Sequence, residues 1–315
     1  MQKIVITDGY TLNPGDLSWE EFKSFGEIIL RDRTSASEVE EVCKDATVIV
    51  TNKTSINRPT IQNASQLKLI AVTATGYNIV NTVAAKEYNV PVCNVPGYGT
   101  DSVAQHTFAL ILELTNHVGL NARSVAEGEW GKSKDFCYSK KSIVELSGKT
   151  LGIIGLGKIG EKVAEIGSAF GMNIIYHNRS VKQATGKQVS IEEVFANADV
   201  VTLHCPLTSE NQGFVNKKLL SIMKPSAILI NTARGQLINE SDLANALNNG
   251  TLAGAGLDVL SQEPPPADHP LIGIANCIIT PHNAWLSFEA RQRIMRTTLE
   301  NVRLALDGKP QNVVN

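Results

Sequence analysis

Residues 149–160 read Lys149-Thr150-Leu151-Gly152-Ile153-Ile154-Gly155-Leu156-Gly157-Lys158-Ile159-Gly160, an apolar strand that runs into Gly-x-Gly-x-x-Gly. The first glycine permits a tight turn, and the second lets a pyrophosphate approach the backbone. The third lets helix and strand pack closely. The helix that follows presents its N-terminus to an anion. Ile159, Val163, Ile166 and Phe170 recur at helical spacing, Gly171 closes them, and a second strand, Asn173 to His177, follows. Strand, turn, helix and strand in that order set this stretch apart from an ordinary glycine-rich turn. They point to a bound dinucleotide, with Gly155, Gly157, Lys158, Ile159 and Gly160 as its contacts.

About 150 residues precede the motif in a chain of 315. That length suits two domains, each with its own core. A net charge of −2 offers no basic footprint for nucleic acid or an anionic membrane. The five cysteines, at 43, 93, 137, 205 and 277, are scattered and form no Cys-x-x-Cys pair. Neither a disulfide framework nor a metal cluster is expected, and a reducing cytoplasm is. No basic-then-apolar leader and no run of about 18 apolar residues occurs, so no membrane association is expected.

Strands and helices alternate, the pattern of parallel sheets. Ile4 to Thr7, Thr47 to Thr51, Leu69 to Thr73 and Val90 to Val95 read as strands, the last ending at Pro96-Gly97-Tyr98-Gly99. One long helix is expected from Asp101 to about Glu127, capped by Thr100 or Asp101. Its apolar residues, Val103, Phe108, Leu110, Ile111 and Leu114, exceed one stripe, so burial on two sides is expected. Residues 128 to 148 read as a surface loop. Strands recur at Val200 to His204, Ala227 to Asn231, Ala253 to Asp258 and Cys277 to Thr280. Gln236 to Gly250 reads as an amphipathic helix. A closing helix starts at Asn283 and ends near Asp307-Gly308. These boundaries predict an α/β chain of two doubly wound parallel-sheet domains. A Rossmann nucleotide domain, 99–283, is inserted into a flavodoxin-like substrate domain, 1–98 with 284–315. Ligands are expected beyond the carboxyl ends of the strands, in a cleft between domains.

Three strand ends carry polar residues that a core does not need. Arg234 follows Asn231-Thr232-Ala233, Glu263 follows Asp258-Val259-Leu260-Ser261-Gln262, and His282 follows Thr280-Pro281. Singly, each is an ordinary exposed loop residue. Together, beside a dinucleotide turn, they form a chemistry. An Arg grips a carboxylate with two parallel hydrogen bonds and polarises an adjacent keto group. A His moves the hydroxyl proton, a Glu beside it stabilises and orients the imidazolium, and a nicotinamide carries the hydride. The reaction read from these parts interconverts 2-keto and 2-hydroxy acids.

From end to end the chain resembles the D-isomer-specific 2-hydroxyacid dehydrogenase family. The matching segments are Gly155 to Gly160, His204-Cys205-Pro206-Leu207-Thr208, Asn231 to Gly235, Asp258-Val259 through Glu263-Pro264, and Thr280 to Ala284. The resemblance implies that Arg234 binds and polarises substrate, Glu263 tunes the histidine, and His282 is the acid/base. It places Asp258 at the nicotinamide carboxamide and Val103 against the nicotinamide ring. His204, Pro206, Thr232 and Ala233 fall among its cofactor contacts. The backbone amides of Thr75 and Gly76 would hold the substrate carboxylate. The opening Asp8 to Asp16 resembles the glycerate dehydrogenase (hydroxypyruvate reductase) branch, whose substrates would be hydroxypyruvate or glyoxylate. The same fold also serves as a corepressor, a nicotinamide-sensing scaffold, and that alternative stands beside the enzyme.

Cofactor choice departs from the usual pattern. An NAD site places an acid about 20 residues after the glycine turn, to bind the ribose diol. Asn178 occupies that position, Arg179 follows, and no acid occurs between Glu165 and Glu192. An Arg there can pair with a 2′-phosphate, so NADP is expected ahead of NAD. Lys53 is either a second contact for the substrate carboxylate or a solvated loop residue. Trp130 and Trp285 read as interface or core aromatics ahead of pocket residues. His106 and His117 read as packing or surface residues, and Cys205 as an unactivated thiol. A homodimer is expected, as the commonest closed oligomer.

Overall fold

Twelve short strands form two all-parallel sheets among the described residues, which are 2–182 and 185–315 of this computed structural model. The chain divides into two units, Met1–Tyr98 with Leu286–Asn315, and Gly99–Trp285. The second unit is therefore an insertion into the first.

In the first unit β1 (Lys3–Ile6), β2 (Glu27–Leu30), β3 (Val48–Thr51), β4 (Leu69–Val72) and β5 (Val92–Cys93) lie in the order β2-β1-β3-β4-β5. That is the flavodoxin-like order. β3 and β4 are buried along their whole length, which is why both read as unbroken apolar runs. β2 is an edge strand, half-buried at most, and its mixed composition hides it in the sequence. The helix Phe288–Leu306 belongs to this unit and packs on β4. It starts later than its expected Asn283, because Ser287 is the residue whose side chain caps it, accepting from the Ala290 amide.

The second unit holds β6 (Thr150–Ile154), β7 (Asn173–His177), β8 (Lys187–Gln188), β9 (Val200–Leu203), β10 (Ile228–Asn231), β11 (Gly254–Leu257) and β12 (Cys277–Ile279). Their order is β12-β11-β10-β9-β6-β7-β8, the dinucleotide-binding order, with its switch point between β6 and β9. Alternate residues separate two cores. Leu151, Ile153, Val200, Ile228 and Ile230 face Phe108, Ile111 and Val163. Ile154, Val201, Leu203 and Leu229 face Val194, Phe195 and Leu243. This is the two-residue period of a sheet covered on both faces.

The long helix is two helices. Thr100–Asn116 and Val118–Ala126 meet at His117, which adopts the left-handed conformation with φ 53°. Glu113 secures the break, its carbonyl accepting from the His117 amide and its carboxylate from that of Gly119. Left-handed residues commonly end helices, but usually as Gly or Asn, so a His there leaves no sequence signal. Gly99, not Thr100 or Asp101, is the N-cap, without a side-chain bond. The first helix is buried against β10, β11 and the helix Lys158–Ala169, the two-sided burial its composition predicts. Gln236 to Gly250 is helical only over Glu240–Asn248, preceded by a single 3₁₀ turn, Gly235–Leu237. No described helix is long and apolar enough to cross a membrane.

Candidate active site

The glycine turn follows β6 directly. Gly155 has φ 94°, and a Cβ on it would lie 2.6 Å from the Cys205 amide nitrogen. The loop after β9 therefore rests on this glycine. A Cβ on Gly160 would stand 2.3 Å from the Gly155 carbonyl oxygen, whereas one on Gly157 meets nothing within 4 Å. The helix is thus drawn against the turn at Gly160 and the loop after β9 against Gly155, while the middle glycine leaves space. The helix Lys158–Ala169 starts at Gly157 with no side-chain cap, so its first amides and its positive dipole end face that space. These residues fit a pyrophosphate.

Asn178, just past β7, is built into the turn. Its Oδ1 accepts from the Leu156 amide at 3.1 Å, and its Nδ2 donates to the Ser180 carbonyl and hydroxyl, both at 3.0 Å. Arg179 is exposed and pairs with Glu210. His204 lies just past β9 and shares a 2.8 Å hydrogen bond with Thr202. It keeps some contact with solvent, but burial of the ring pushes its pKa from 6.5 down to about 3. Burial also raises the Cys205 thiol, the opposite of what an activated thiolate needs.

Three further loops are tied together at the carboxyl ends of β10, β11 and β12. The turn that carries Arg234 is clamped by Asn231, whose side chain accepts from the Ala233 amide and donates to the Arg234 carbonyl. Thr232 bonds Thr107 at 3.1 Å. A Cβ on Gly235 would lie 1.9 Å from the Leu260 carbonyl carbon. Only a glycine lets the Arg234 loop seat on the loop that leads to Glu263. Gln236 adds a bond to the Ser261 carbonyl at 2.8 Å. Beyond β11, Asp258 is 1% exposed. It accepts from the Thr280 hydroxyl and from the amides of Asn283 and Ala284, fixing the loop around His282. Glu263 Oε1 accepts from the Leu260 amide, and its Oε2 lies 2.6 Å from His282 Nδ1.

His282 itself adopts φ 52°, a conformation that costs a non-glycine residue about 1–3 kcal/mol and persists only where its surroundings impose it. With Nδ1 bonded to a carboxylate, Nε2 is the nitrogen that gains or loses a proton. Arg234 is exposed, with Nη1 bonded to the Ala233 carbonyl. The structure thus gathers a guanidinium loop, a carboxylate–imidazole pair and a buried aspartate at one sheet edge.

In the first unit, Lys53 lies on an exposed loop after β3. Asp8 holds that loop: its carboxylate accepts from the amides of Asn52 (2.8 Å), Lys53 (2.5 Å) and Thr54 (2.8 Å). Thr75 is exposed, its hydroxyl bonded to the Val95 carbonyl, and its own carbonyl accepts from the Asn94 side chain. Gly76 beside it is half-buried.

The profile of the D-isomer specific 2-hydroxyacid dehydrogenase NAD-binding domain matches residues 108–284. The chain belongs to this family. It is 44% identical to a hydroxypyruvate reductase of Blautia hydrogenotrophica, over 99% of both chains. It is 40% identical to a glycerate dehydrogenase of Methylorubrum extorquens, over 88% of each. Among solved structures, an acyclic imino acid reductase in complex with NADPH and D-Arg superposes with a TM-score of 0.87 at 33% identity, over the whole of both chains. As a D-2-hydroxyacid dehydrogenase, the chain is a nicotinamide-dependent oxidoreductase.

Two residues of this dehydrogenase escape sequence reasoning. His106 reads as packing or surface, yet its Nε2 lies 2.9 Å from the Thr280 hydroxyl and 3.5 Å from the Asp258 carboxylate. Its position on the Thr100–Asn116 helix gives no hint, because the partners lie over 150 residues away. Asp8 reads as the end of a strand. An Asp at that place, before a glycine, is the one available signal that it caps a neighbouring loop.

Proposed function

We propose that this dehydrogenase reduces hydroxypyruvate or glyoxylate to D-glycerate or glycolate, with NADPH used ahead of NADH. The observation that carries the reading is the Glu263–His282 pair at 2.6 Å, on a loop seated against that of Arg234. The names of its relatives supply the substrate class. A bound reduced nicotinamide supplies the hydride to the keto carbon. The rest is the work of the chain. Arg234 grips the carboxylate and draws charge onto the keto oxygen. The imidazolium Nε2 of His282 gives its proton to that oxygen as the hydroxyl forms, while Glu263 holds the ring and balances its charge. Gly155, Gly157, Lys158, Ile159 and Gly160 would hold the pyrophosphate. Val103, His204, Pro206, Thr232, Ala233 and Asp258 would line the rest of the nucleotide site, with Asn178 and Arg179 at the adenosine ribose. Lys53, Thr75 and Gly76 are assigned to the substrate carboxylate.

Steady-state rates across hydroxypyruvate, glyoxylate, pyruvate and phenylpyruvate test the substrate. His282→Ala should lower the rate by the roughly hundredfold or more expected of a lost general acid. Arg234→Lys should also fail, since an ammonium lacks the planar fork. Full activity in His282→Ala, or a mere twofold loss in Arg234→Lys, would overturn the assigned roles.

We further infer a homodimer. Val118, Val125, Trp130, Phe136, Ile143 and Val144 are all exposed within one stretch of the second unit, Phe136 at 88%. Single exposed apolar residues are ordinary, but a cluster marks an interaction surface.

A further inference from the structure

The loops after β7 and β9 meet across the strand that separates them. β6, which carries the glycine turn, lies between those two strands, so a bond from one loop to the other spans that turn. Arg179 lies just past β7 and Glu210 in the loop past β9. Arg179 Nη2 donates to Glu210 Oε2 at 3.1 Å, with the side chains 71% and 78% exposed. The neighbouring groups are committed elsewhere. Asn178 uses its oxygen on Leu156 and its amide on Ser180, and Lys182 is bonded to Glu161. The guanidinium of Arg179 is thus held by a solvated, exchangeable carboxylate, on the side of the turn where the second strand of such a domain meets an adenosine ribose.

We propose that Glu210 is a specificity-determining residue. Its carboxylate competes with the 2′-phosphate of NADPH for Arg179 and so restrains the preference for NADPH that Arg179 confers. The proposal rests on the reading of Arg179 as the phosphate contact. A phosphate carries more charge than a carboxylate and three acceptor oxygens, so it displaces Glu210, but part of its attraction is spent in the exchange. NADH has no 2′-phosphate and is indifferent to Glu210. An exposed ion pair changes an equilibrium by no more than about fivefold, which bounds the effect.

Fluorescence titration with NADPH and with NADH gives dissociation constants without turnover. They are measured for the wild type, Glu210→Gln, Arg179→Ala and the double variant. Glu210→Gln should tighten NADPH by about two- to fivefold, leave NADH unchanged, and have no effect in the Arg179→Ala background. If Arg179→Ala weakens NADPH but Glu210→Gln does not tighten it, the competition is overturned and the phosphate contact stands. If Glu210→Gln tightens both nucleotides equally, it acts through general charge and the proposal again fails. If Arg179→Ala leaves NADPH binding unchanged, the phosphate contact itself is wrong, and the competition falls with it.

Discussion

At the scale of single residues, His204 and Gly235 show how much the site depends on groups that do no chemistry. Burial holds His204 neutral, with its pKa pushed from 6.5 to about 3. Between those values the unfolded chain binds a proton that the folded chain refuses. The contribution of His204 to stability is therefore complete above about pH 6.5 and is lost as the pH falls toward 3. His204→Gln should flatten the acid limb of Tm against pH relative to wild type; an unchanged difference across that window would show that the ring is solvated. Gly235 is required by contact. A Cβ there would stand 1.9 Å from the Leu260 carbonyl carbon and 2.3 Å from the Ser261 nitrogen, both backbone atoms. Gly235→Ala should cost about 1–3 kcal/mol in stability, as overpacking does. It should also lower kcat/KM at least tenfold, because the Arg234 and Glu263 loops must part. Wild-type kcat/KM in a folded Gly235→Ala protein would show that their contact is dispensable. Both residues are marked in the sequence only by resemblance. Gly235 reads as part of a motif, while the reason for it lies 25 residues away in Leu260.

At the scale of elements, the strands were legible and the loops that aim side chains were not. β3, β4, β9 and β10 are buried runs whose apolar content declares them. β8 is two residues at a sheet edge and declares nothing. The loop after β3 is shaped by Asp8, three of whose hydrogen bonds go to consecutive amides. Removing that buried acceptor would leave those amides unsatisfied, at about 1–3 kcal/mol. Asp8→Ala should lower Tm and raise KM for the keto acid while kcat changes little, since Lys53 would lose its position but the proton donor would not. A fall in kcat at constant KM would place the effect elsewhere. The break at His117 is the same lesson in a helix. Periodicity continues through it, and only the left-handed backbone at His117, with the Glu113 carboxylate on the Gly119 amide, reveals the turn.

For the whole molecule, the exposed apolar residues between Val118 and Val144 are the basis of the proposed homodimer. Nearby, a groove of about 710 Å³ opens at the amino ends of the strands, lined by His117, Leu120, Val144, Lys149, Asp199 and Asn276. It lies at the opposite sheet edge from His282 and Arg234, so it has no part in the proposed chemistry. Analytical ultracentrifugation at micromolar concentration should report a dimer, and Val118→Asp combined with Ile143→Asp should shift it to monomer. A wild-type monomer under those conditions would overturn the assignment.

The class of fold, the glycine turn and the three polar strand ends are all legible in the order of residues. Each of these is a local pattern: a buried parallel strand must be apolar, and a phosphate turn must be glycine-rich. The same order places Asn178 and Arg179 where an acid would ordinarily stand. Which groups those residues touch emerges only from the folded chain. Asn178 turned inward to Leu156, Arg179 to Glu210, Asp258 to the backbone beyond Thr280, and His106 to Thr280 itself. Those partners lie in the loops that follow other strands of the sheet. Their meeting depends on strand order, which no window of neighbouring residues records.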